Sequence, residues 1–307
     1  GTALSMATAY FGLNCKVYAL GRNSSKAQER FSDYLNSSHF TFIAHDINTP
    51  FHAVPDRIDY VMHLASNTHP AEYSADPVGT ILTNILGLNN LLTFSLRHNS
   101  KRFVFASSVE IYGVNRGDTE YFSEDYCGYI DISKFRSGYP EAKRCGETLC
   151  QSYLQQYGLD IVIPRLPRTY GPTMQNTDSK AIAQFIRKAT AGENIVLKSA
   201  GTQLFSYGYV ADVVSGMFTV LFRGKTGEAY NIADKESDIT LKDLAAIAAG
   251  YVGRQVVFEL PDAREKIGYS AANKAVLDSG KLQNLGWRAH YCIREGVTRT
   301  IDILSSK

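Results

Sequence analysis

The sequence predicts an α/β protein with a doubly wound, mainly parallel sheet and a smaller α/β unit interleaved with it. Two observations support this fold class. Short apolar runs of strand type alternate with helical patterns in the first half of the chain, which favours parallel strands with helices on both faces. Polar residues directly follow several of these runs, as is typical of strand ends that bind ligands in such sheets.

Strands are expected wherever a short apolar run ends at a Gly or at a polar residue. In the first half of the chain they are predicted at residues 15–20, 39–43, 58–65, 102–107 and 160–165. The longest helix among them is predicted at residues 77–98, because apolar residues recur there at helical spacing. Its apolar positions are Ile81, Leu82, Ile85, Leu88, Leu92 and Leu96.

The alternation weakens after Pro172, where the second unit is expected to begin. We therefore divide the chain into residues 1–172 and residues 173–307, the second part being interleaved with the first. Within it, helices are predicted at 181–191 and 241–249, and strands at 195–198, 229–232 and 256–259.

The composition is that of an ordinary globular enzyme. The chain has 307 residues, of which 44% are hydrophobic and 20% charged, and its net charge is +2. This charge gives no electrostatic reason to expect a nucleic-acid or membrane partner. The five Cys form an odd set without C-x-x-C spacing, so we expect a reduced, cytoplasmic protein. Neither the Cys nor the seven His have metal-ligand spacing, and no metal site is predicted.

Tyr139 and Lys143 are the first candidate functional pair. Positions four apart share one face of a helix, so the phenol and the ammonium are expected to converge. A nearby positive charge lowers the pKa of a phenol, which prepares it to take a proton from an alcohol. The alternative is a surface helix on which the two residues form a chance pair. A chain with 19 Tyr is expected to contain about one Tyr-x-x-x-Lys by accident.

Further candidates follow the predicted strands. We expect them to converge at the carboxyl edge of the sheet, although each residue is also compatible with a capping or turn role. They are Gly21-Arg22-Asn23, Asp46, Ala65-Ser66-Asn67, Ser107-Ser108 and Arg165.

The order of several motifs resembles the extended short-chain dehydrogenase/reductase family, which contains the NAD-dependent epimerases and dehydratases. The resemblance covers nearly the whole chain and implies a Rossmann-like fold. The motifs that carry it are His63-Leu64-Ala65-Ser66, Thr83-Asn84-Ile85-Leu86-Gly87, Ser107-Ser108-Val109-Glu110-Ile111-Tyr112-Gly113, Tyr139-x-x-x-Lys143, Arg165-x-x-x-x-Tyr170-Gly171-Pro172, Tyr209-Val210-Ala211-Asp212 and Leu285-Gly286-Trp287.

Two segments are similar, more narrowly, to UDP-glucuronate decarboxylases. One is the segment from Tyr139 to Tyr153, and the other runs from Ala65 to Asn84. Glu110, two places after Ser108, matches the dehydratase and decarboxylase branch of the family. The resemblance also implies that Gly1 is the last glycine of a phosphate-binding loop, so we expect further residues upstream of it.

The resemblance implies a nucleotide-sugar substrate and assigns roles to residues around the C4 hydroxyl of its sugar. Tyr139 is its base, Lys143 lowers the pKa of Tyr139 and binds the nicotinamide ribose, and Ser108 hydrogen-bonds the same hydroxyl. Glu110 acts near C5 as a proton shuttle or orienting group. The alternative for Glu110 is a carboxylate that stabilises a helix start.

The resemblance also implies a dinucleotide site. Asp46 is expected to contact the adenine with Ile47 beside it, and Gly1, Ala65, Ser66 and Arg165 complete the set together with Tyr139 and Lys143. NAD is the expected cofactor. The second strand of such proteins usually ends in an acid that binds the ribose hydroxyls, whereas this chain has Gly21-Arg22. NADP is therefore an alternative, because Arg22 helped by Lys26 is suited to a 2′-phosphate.

Substrate contacts are expected at Ser66, Tyr73 and Ser108, and at three positions where the chain departs from the family. Arg168 stands where an Asn is usual, Phe205 stands where an Arg clamps the nucleotide diphosphate, and Lys274 replaces an Arg before the final Leu-Gly-Trp. We predict that Arg168 supplies the charge lost at Phe205.

The resulting prediction is a nucleotide-sugar enzyme that oxidises C4 of a hexose with NAD(P), similar to UDP-glucuronate decarboxylase. A 4,6-dehydratase or a 4-epimerase is the nearest alternative, and a catalytically silent NAD(P)-binding protein is the second. Helices at residues 77–98 and 139–157 are expected to pair across a two-fold axis as a four-helix bundle, giving a homodimer. Their burial within a monomer is the alternative.

Overall fold

The computed structural model describes residues 15–52, 57–66, 75–259 and 273–306. Its strands occur where short apolar runs end at polar or glycine residues. They are β1 (Val17–Gly21), β2 (Phe40–Ala44), β3 (Tyr60–His63), β4 (Arg102–Phe105), β5 (Ser107–Ser108), β6 (Ile161–Leu166), β7 (Arg168–Tyr170), β8 (Ile195–Leu197), β9 (Leu204–Tyr209), β10 (Ala229–Asn231), β11 (Asp238–Thr240), β12 (Val256–Phe258) and β13 (Lys274–Ala275).

The helices lie between these strands. In the described part of the chain, none of them is both long and apolar enough to cross a lipid bilayer. They are α1 (Ser24–Arg30), α2 (Pro77–Leu82), α3 (Leu88–Arg97), α4 (Gly138–Tyr157), α5 (Ala181–Thr190), α6 (Val210–Arg223), α7 (Leu241–Tyr251), α8 (Gly280–Gln283) and α9 (Ile293–Ser305).

The largest sheet is parallel and has the strand order β10-β6-β4-β3, with β5 pairing beside β6. A second parallel pair joins β1 and β2 in the register Gly21↔Ala44. Within the described residues no ladder connects this pair to the larger sheet. Strands form in all five regions predicted for the first half of the chain.

Helices cover both faces of the larger sheet, as the side chains of β4 show, because they point alternately to one face and to the other. Val104 packs in a cluster with Val213 and Met217 of α6. Its neighbours Phe103 and Phe105 point to the opposite face and pack with residues of α3 and α4, such as Leu92 and Cys150. The doubly wound parallel arrangement predicted from the sequence is therefore confirmed.

The helix predicted at residues 77–98 is interrupted by a π-helical segment, Thr83–Gly87. Asp76 caps its start by accepting a hydrogen bond from the backbone N–H of Gly79 at 2.9 Å. The buried side chain of Asn84 donates to the Thr80 carbonyl at 2.8 Å, four residues earlier. A side chain that enters the helical ladder widens the turn, which accounts for the interruption.

The smaller unit is built on β9, which pairs with β11, β13 and β7. A separate pair joins β8 and β12, and residues of α5, α7 and α9 pack with these strands in one apolar cluster. The chain leaves this unit to add β10 to the larger sheet beside β6. Residues 173–307 therefore contribute to both units.

Asp238 of β11 is linked to β9 and, through it, to the segment that follows β13. Its carboxylate accepts a 2.5 Å hydrogen bond from the Ser206 hydroxyl of β9, which in turn accepts from the backbone N–H of Leu277. Burial, reinforced by the nearby Asp234, raises the pKa of Asp238 from 3.8 to about 6. The carboxylate form is therefore unfavourable in the folded protein.

We expect Asp238→Asn to stabilise the protein more at about pH 7 than at about pH 4. The folded state of the original protein binds more protons than the unfolded chain between the two pKa values, 3.8 and about 6, so its free energy of unfolding falls as the pH rises through that window. The neutral amide of the variant does not lose free energy of unfolding in this window, and its oxygen can still accept a hydrogen bond from the Ser206 hydroxyl. Urea unfolding of both proteins at the two pH values tests this, and an equal difference at both would contradict it.

Candidate active site

Tyr139 and Ser108 form the centre of the candidate site. Tyr139 lies in the first turn of α4 and is 7% exposed, and Ser108 ends β5 beside the central strands. The Ser108 side chain lies close enough to the Tyr139 phenol to act on its pKa, in the direction that favours the phenolate. Ser108 also caps the short 3-10 helix Val109–Tyr112 by accepting from the backbone N–H of Glu110 at 3.2 Å. The structure thus brings together the predicted base and its predicted hydroxyl partner.

Lys143 follows Tyr139 by one turn of α4 and is almost completely buried. Its ammonium donates to the Ala106 carbonyl at 2.8 Å, directly after β4. The Nζ atom lies 4.8 Å from the ring centroid of Phe105 and 5.9 Å from that of Tyr139. The helix therefore presents the phenol and the ammonium on one face, as the spacing predicts.

The pKa of Tyr139 shifts in the opposite direction to our expectation. Burial raises it, the nearby Glu110 raises it further, and the Ser108 side chain and the charge of Arg136 oppose these effects. Burial also lowers the pKa of Lys143 to about 8. The expected lowering of the Tyr139 pKa by Lys143 is therefore not found, because loss of solvation favours the neutral form of both groups.

Glu110 is held beside this centre by Arg136. The guanidinium contacts both carboxylate oxygens, at 3.1 and 3.3 Å, and both side chains are about one-fifth exposed. Arg136 belongs to the short 3-10 helix Phe135–Ser137 just before α4. The pair adds a carboxylate and a fixed positive charge to the surroundings of Tyr139.

Arg165, a predicted cofactor residue, is held mainly by hydrogen bonds within the protein. It is 8% exposed and binds both oxygens of Glu147, at 3.0 and 2.7 Å. It also donates to the Tyr112 hydroxyl and to the Glu124 carbonyl. Four of its five donor hydrogens are thus used within the protein. Arg165 therefore joins β6 to α4 and to the loop after β5.

The Glu147 carboxylate extends this network toward the site. It accepts a 2.5 Å hydrogen bond from the hydroxyl of Ser107, the neighbour of Ser108. Glu147 lies one turn beyond Lys143 on α4. The buried ion pair with Arg165 therefore fixes β5 relative to the helix that carries Tyr139 and Lys143.

The other predicted cofactor residues follow β2 and β3. Asp46 is half-buried and accepts from the backbone N–H of Asn48 at 3.0 Å. Ile47 is buried and lies against Gly87, and its contact with the cofactor stays a prediction. Ala65 is exposed, and Ser66 accepts a hydrogen bond from Asn84 at 3.0 Å. Gly1 lies outside the described residues.

The buried ammonium of Lys143 is suited to a ligand that carries hydroxyl groups. In the described part of the chain only the Ala106 carbonyl accepts from it, although an ammonium has three donor hydrogens. A buried charge with unused donors is unfavourable unless a ligand supplies acceptors. A nucleotide ribose has such acceptors, so the residues fit a dinucleotide.

Three predicted substrate residues lie on adjoining strands of the smaller unit. The Arg168 guanidinium of β7 stacks on Phe205 of β9, 3.6 Å from the ring centroid. Lys274 of β13 pairs beside Leu204, next to Phe205, and its Nζ lies 6.0 Å from the ring centroid of Tyr121. Tyr73 lies outside the described residues.

Where the structure describes the chain, no three His, Cys, Asp or Glu side chains are grouped to hold a metal ion. Sequence reasoning missed Arg136 and Glu147. Helical spacing was the available signal for both residues. Arg136 stands three residues before Tyr139, and Glu147 stands four residues after Lys143.

Comparison with protein families gives one match that covers most of the chain. The sequence model of the NAD dependent epimerase/dehydratase family matches residues 4–233. The match includes every predicted catalytic residue.

Similar proteins include nucleotide-sugar enzymes. The chain is 30% identical over 276 residues to UDP-glucuronic acid decarboxylase 6 of Arabidopsis thaliana, covering 88% of this chain and 76% of that protein. It is 29% identical over 272 residues to UDP-glucuronic acid decarboxylase 1 of Danio rerio, covering 89% of this chain but only 62% of that protein. A crystal structure of UDP-glucuronic acid 4-epimerase from Bacillus cereus, in complex with UDP-glucuronic acid and NAD, superposes with a TM-score of 0.82. It is 20% identical, and the match covers 99% of this chain and 95% of that one.

Proposed function

Because this chain belongs to the NAD dependent epimerase/dehydratase family, we propose that it binds a nicotinamide dinucleotide and oxidises C4 of a nucleotide sugar. The proposed overall reaction is that of UDP-glucuronate decarboxylases, which are among its similar proteins. The convergence of Ser108 and the buried Lys143 on the Tyr139 phenol carries the proposal.

The cofactor is proposed to lie at the carboxyl ends of β1 to β4, with its ribose against Lys143. When bound, the oxidised nicotinamide ring supplies the acceptor for the C4 hydrogen and its electron pair. The protein contributes the unused donors of the Lys143 ammonium. The short bond to the Ala106 carbonyl fixes their direction.

Tyr139 is proposed to take the proton of the C4 hydroxyl. Burial favours the neutral phenol, while the nearby Ser108 side chain and the charge of Arg136 favour the phenolate. Any further positive charge that enters the site lowers the pKa in the same direction. Tyr139 is therefore prepared to act as a base only when the site is filled.

Glu110 is proposed to move or hold a proton after C4 becomes a carbonyl. A carboxylate at C6 is then part of a β-keto acid, which loses carbon dioxide and leaves a carbanion next to the carbonyl. Protonation of that carbon consumes one proton from solvent, which the Glu110 carboxylate would accept and pass on. Glu110 acts on the pKa of Tyr139 and is oriented by two bonds from Arg136, which supports this role.

Arg168 is proposed to bind the diphosphate of the substrate. Ser108 pairs beside Leu166, and Arg168 follows Leu166 by two residues, about 6–7 Å along an extended chain. Stacking on the buried ring of Phe205 holds the guanidinium plane in place. A fixed, planar cation suits a diphosphate, which accepts paired hydrogen bonds.

We expect Arg168→Ala to raise the KM for the nucleotide sugar by about 10- to 100-fold, since a charge-assisted hydrogen bond contributes about 1.5–3 kcal/mol. Arg168→Lys keeps the charge but loses the planar stack, so it should give an intermediate KM. Steady-state kinetics with both variants provides the measurement. A KM that is unchanged in Arg168→Ala would rule out this contact.

The reaction itself is tested by supplying UDP-glucuronate, UDP-glucose and dTDP-glucose separately with cofactor. Release of carbon dioxide from UDP-glucuronate is the expected result. Loss of water would instead assign a 4,6-dehydratase, and inversion at C4 a 4-epimerase. Tight cofactor binding without turnover of any of the three would identify a silent dinucleotide-binding protein.

We also propose that the protein is a homodimer formed by its long helices. Val78, Leu82 and Leu86, which recur every four residues from α2 into the π-helical segment, are 66%, 43% and 46% exposed. Ile81 packs on Gly138 at the start of α4, so the stripe lies beside α4. A second copy would cover it and complete a four-helix bundle.

All five cysteines are unpaired, which supports a reducing, cytoplasmic location.

Leu82→Glu is expected to convert the dimer to a monomer, because it places a charge in the centre of the apolar stripe. Phe258→Glu serves as a matched control, since Phe258 is 54% exposed but lies on β12. Light scattering after size-exclusion chromatography measures both. A monomeric original protein, or a dimer that persists in Leu82→Glu, would contradict this assembly.

A further inference from the structure

We infer that Arg136 selects the substrate by binding the C6 carboxylate of a uronate sugar, and that this carboxylate shares the guanidinium with Glu110. The inference rests on the proposed function, in which Tyr139 takes the proton of the C4 hydroxyl. It adds a specificity-determining residue to that site, because a neutral hexose offers no charge at C6 for a guanidinium to bind.

Arg136 lies where the carboxylate of such a sugar would arrive. It stands three residues before Tyr139, in the 3-10 helix Phe135–Ser137, and its charge acts on the pKa of the phenol. Only C5 separates C4 from the C6 carboxylate, so a sugar whose C4 hydroxyl contacts Tyr139 brings its carboxylate close to this charge. The side chain of Arg136 is 20% exposed, and a ligand can therefore reach it.

The ion pair between Arg136 and Glu110 is loose. Its two contacts are 3.1 and 3.3 Å long, whereas charge-assisted bonds between nitrogen and oxygen are usually about 2.7–2.9 Å. The buried pair of Arg165 with Glu147 is tighter, with bonds of 3.0 and 2.7 Å. A second carboxylate can therefore take up part of the Arg136 guanidinium without breaking a strong pair.

Other cations on α4 and on the central strands are bound more firmly within the protein. Lys143 donates to the Ala106 carbonyl and is proposed to bind the ribose. Arg144 donates to two backbone carbonyls, each at 2.7 Å, and Arg165 is held by its buried carboxylate partner. Arg136 combines a loose pair with an effect on the Tyr139 phenol, so it is the cation best placed to bind an anionic sugar.

Sharing the guanidinium with Glu110 makes recognition compatible with the loss of carbon dioxide. A cation that held the C6 carboxylate alone would stabilise its charge and oppose the departure of a neutral molecule. As carbon dioxide leaves, the electron pair of the broken bond passes to C5 and the neighbouring C4 carbonyl. Arg136 then returns both of its contacts to Glu110.

Calorimetric titration with UDP-glucuronate and with UDP-glucose, which differ only at C6, measures the selection. All titrations use the cofactor-loaded Tyr139→Phe protein, in which turnover is slow. This parent should bind UDP-glucuronate at least about tenfold more tightly than UDP-glucose. Adding Arg136→Gln should weaken the binding of UDP-glucuronate by about 10- to 100-fold and leave that of UDP-glucose unchanged.

Two further variants separate carboxylate recognition from general support of the site. Glu110→Gln removes the competing carboxylate, so it should tighten the binding of UDP-glucuronate by about tenfold and leave UDP-glucose unchanged. Arg116→Gln, which removes an exposed arginine stacked on Tyr129, is the matched control and should change neither affinity.

An equal loss of affinity for both sugar nucleotides in Arg136→Gln would overturn the inference and leave the proposed function intact, because the residue would then support the site without reading C6. Weaker binding of UDP-glucuronate in Glu110→Gln would overturn it as well, since Glu110 would then not compete for the guanidinium. The proposed function is tested separately by turnover of UDP-glucuronate in the original protein. Absence of that turnover would remove both.

Discussion

Replacement of Tyr139 by Phe is expected to lower kcat by about 10²- to 10⁴-fold, the usual contribution of a positioned acid–base group. The ring remains in its buried place at the start of α4, so only the hydroxyl near Ser108 is lost. Affinity for the cofactor and for the nucleotide sugar should therefore change little. Steady-state kinetics and calorimetric binding of both ligands measure the two effects separately.

Tyr157→Phe is the matched control for this substitution. Tyr157 ends the same helix and is 54% exposed, so its variant should retain full kcat. Ser108→Ala should reduce kcat by a smaller factor, because it removes one of the groups that favour the phenolate. A kcat for Tyr139→Phe within a few-fold of the original would show that another group takes the proton.

Replacement of Arg165 by Met should destabilise the protein by about 3–5 kcal/mol, the range observed when one partner of a buried ion pair is removed. The remaining Glu147 carboxylate would keep the Ser107 hydroxyl and the more distant charge of Lys143 but would lose its directly bonded counter-ion. The position of β5 relative to α4 would loosen, so kcat should fall too. Urea unfolding measures the loss of stability.

Two further variants distinguish this effect from a general loss of charge. Lys188→Met removes an exposed pair with Glu193 and should lower stability by about 0–1 kcal/mol. Adding Glu147→Gln to Arg165→Met removes the uncompensated charge and should restore part of the loss. Similar losses for Arg165→Met and Lys188→Met would show that the Arg165 pair contributes no more than a surface one.

The fold class and the central pair of the site were predictable because both depend on local patterns. Apolar runs that end at polar residues located the strands β1 to β4 and β6. Helical spacing alone placed Tyr139 and Lys143 on one face of α4, and the order of motifs identified the family.

Other features depend on contacts between distant positions, which spacing does not encode. Glu110 and Arg136 are 26 residues apart, and the Arg165–Glu147 pair joins β6 to a helix that precedes it. A polar residue after a strand therefore suggested a ligand contact at Arg165, although its partner lies inside the protein. The pKa shifts of Tyr139 and Lys143 were missed for the same reason, since burial belongs to the tertiary structure.

The central claim is that C4 of the sugar is oxidised with Tyr139 as the base, and a single-turnover experiment tests it most directly. The protein, loaded with cofactor, is mixed with the sugar nucleotide that it converts, in normal form or with deuterium at C4, and product is followed by mass spectrometry. We predict slower conversion of the deuterated sugar, and conversion of both forms at least about 10²-fold more slowly in Tyr139→Phe. Equal rates for the two forms, or conversion by Tyr139→Phe at the original rate, would contradict the account.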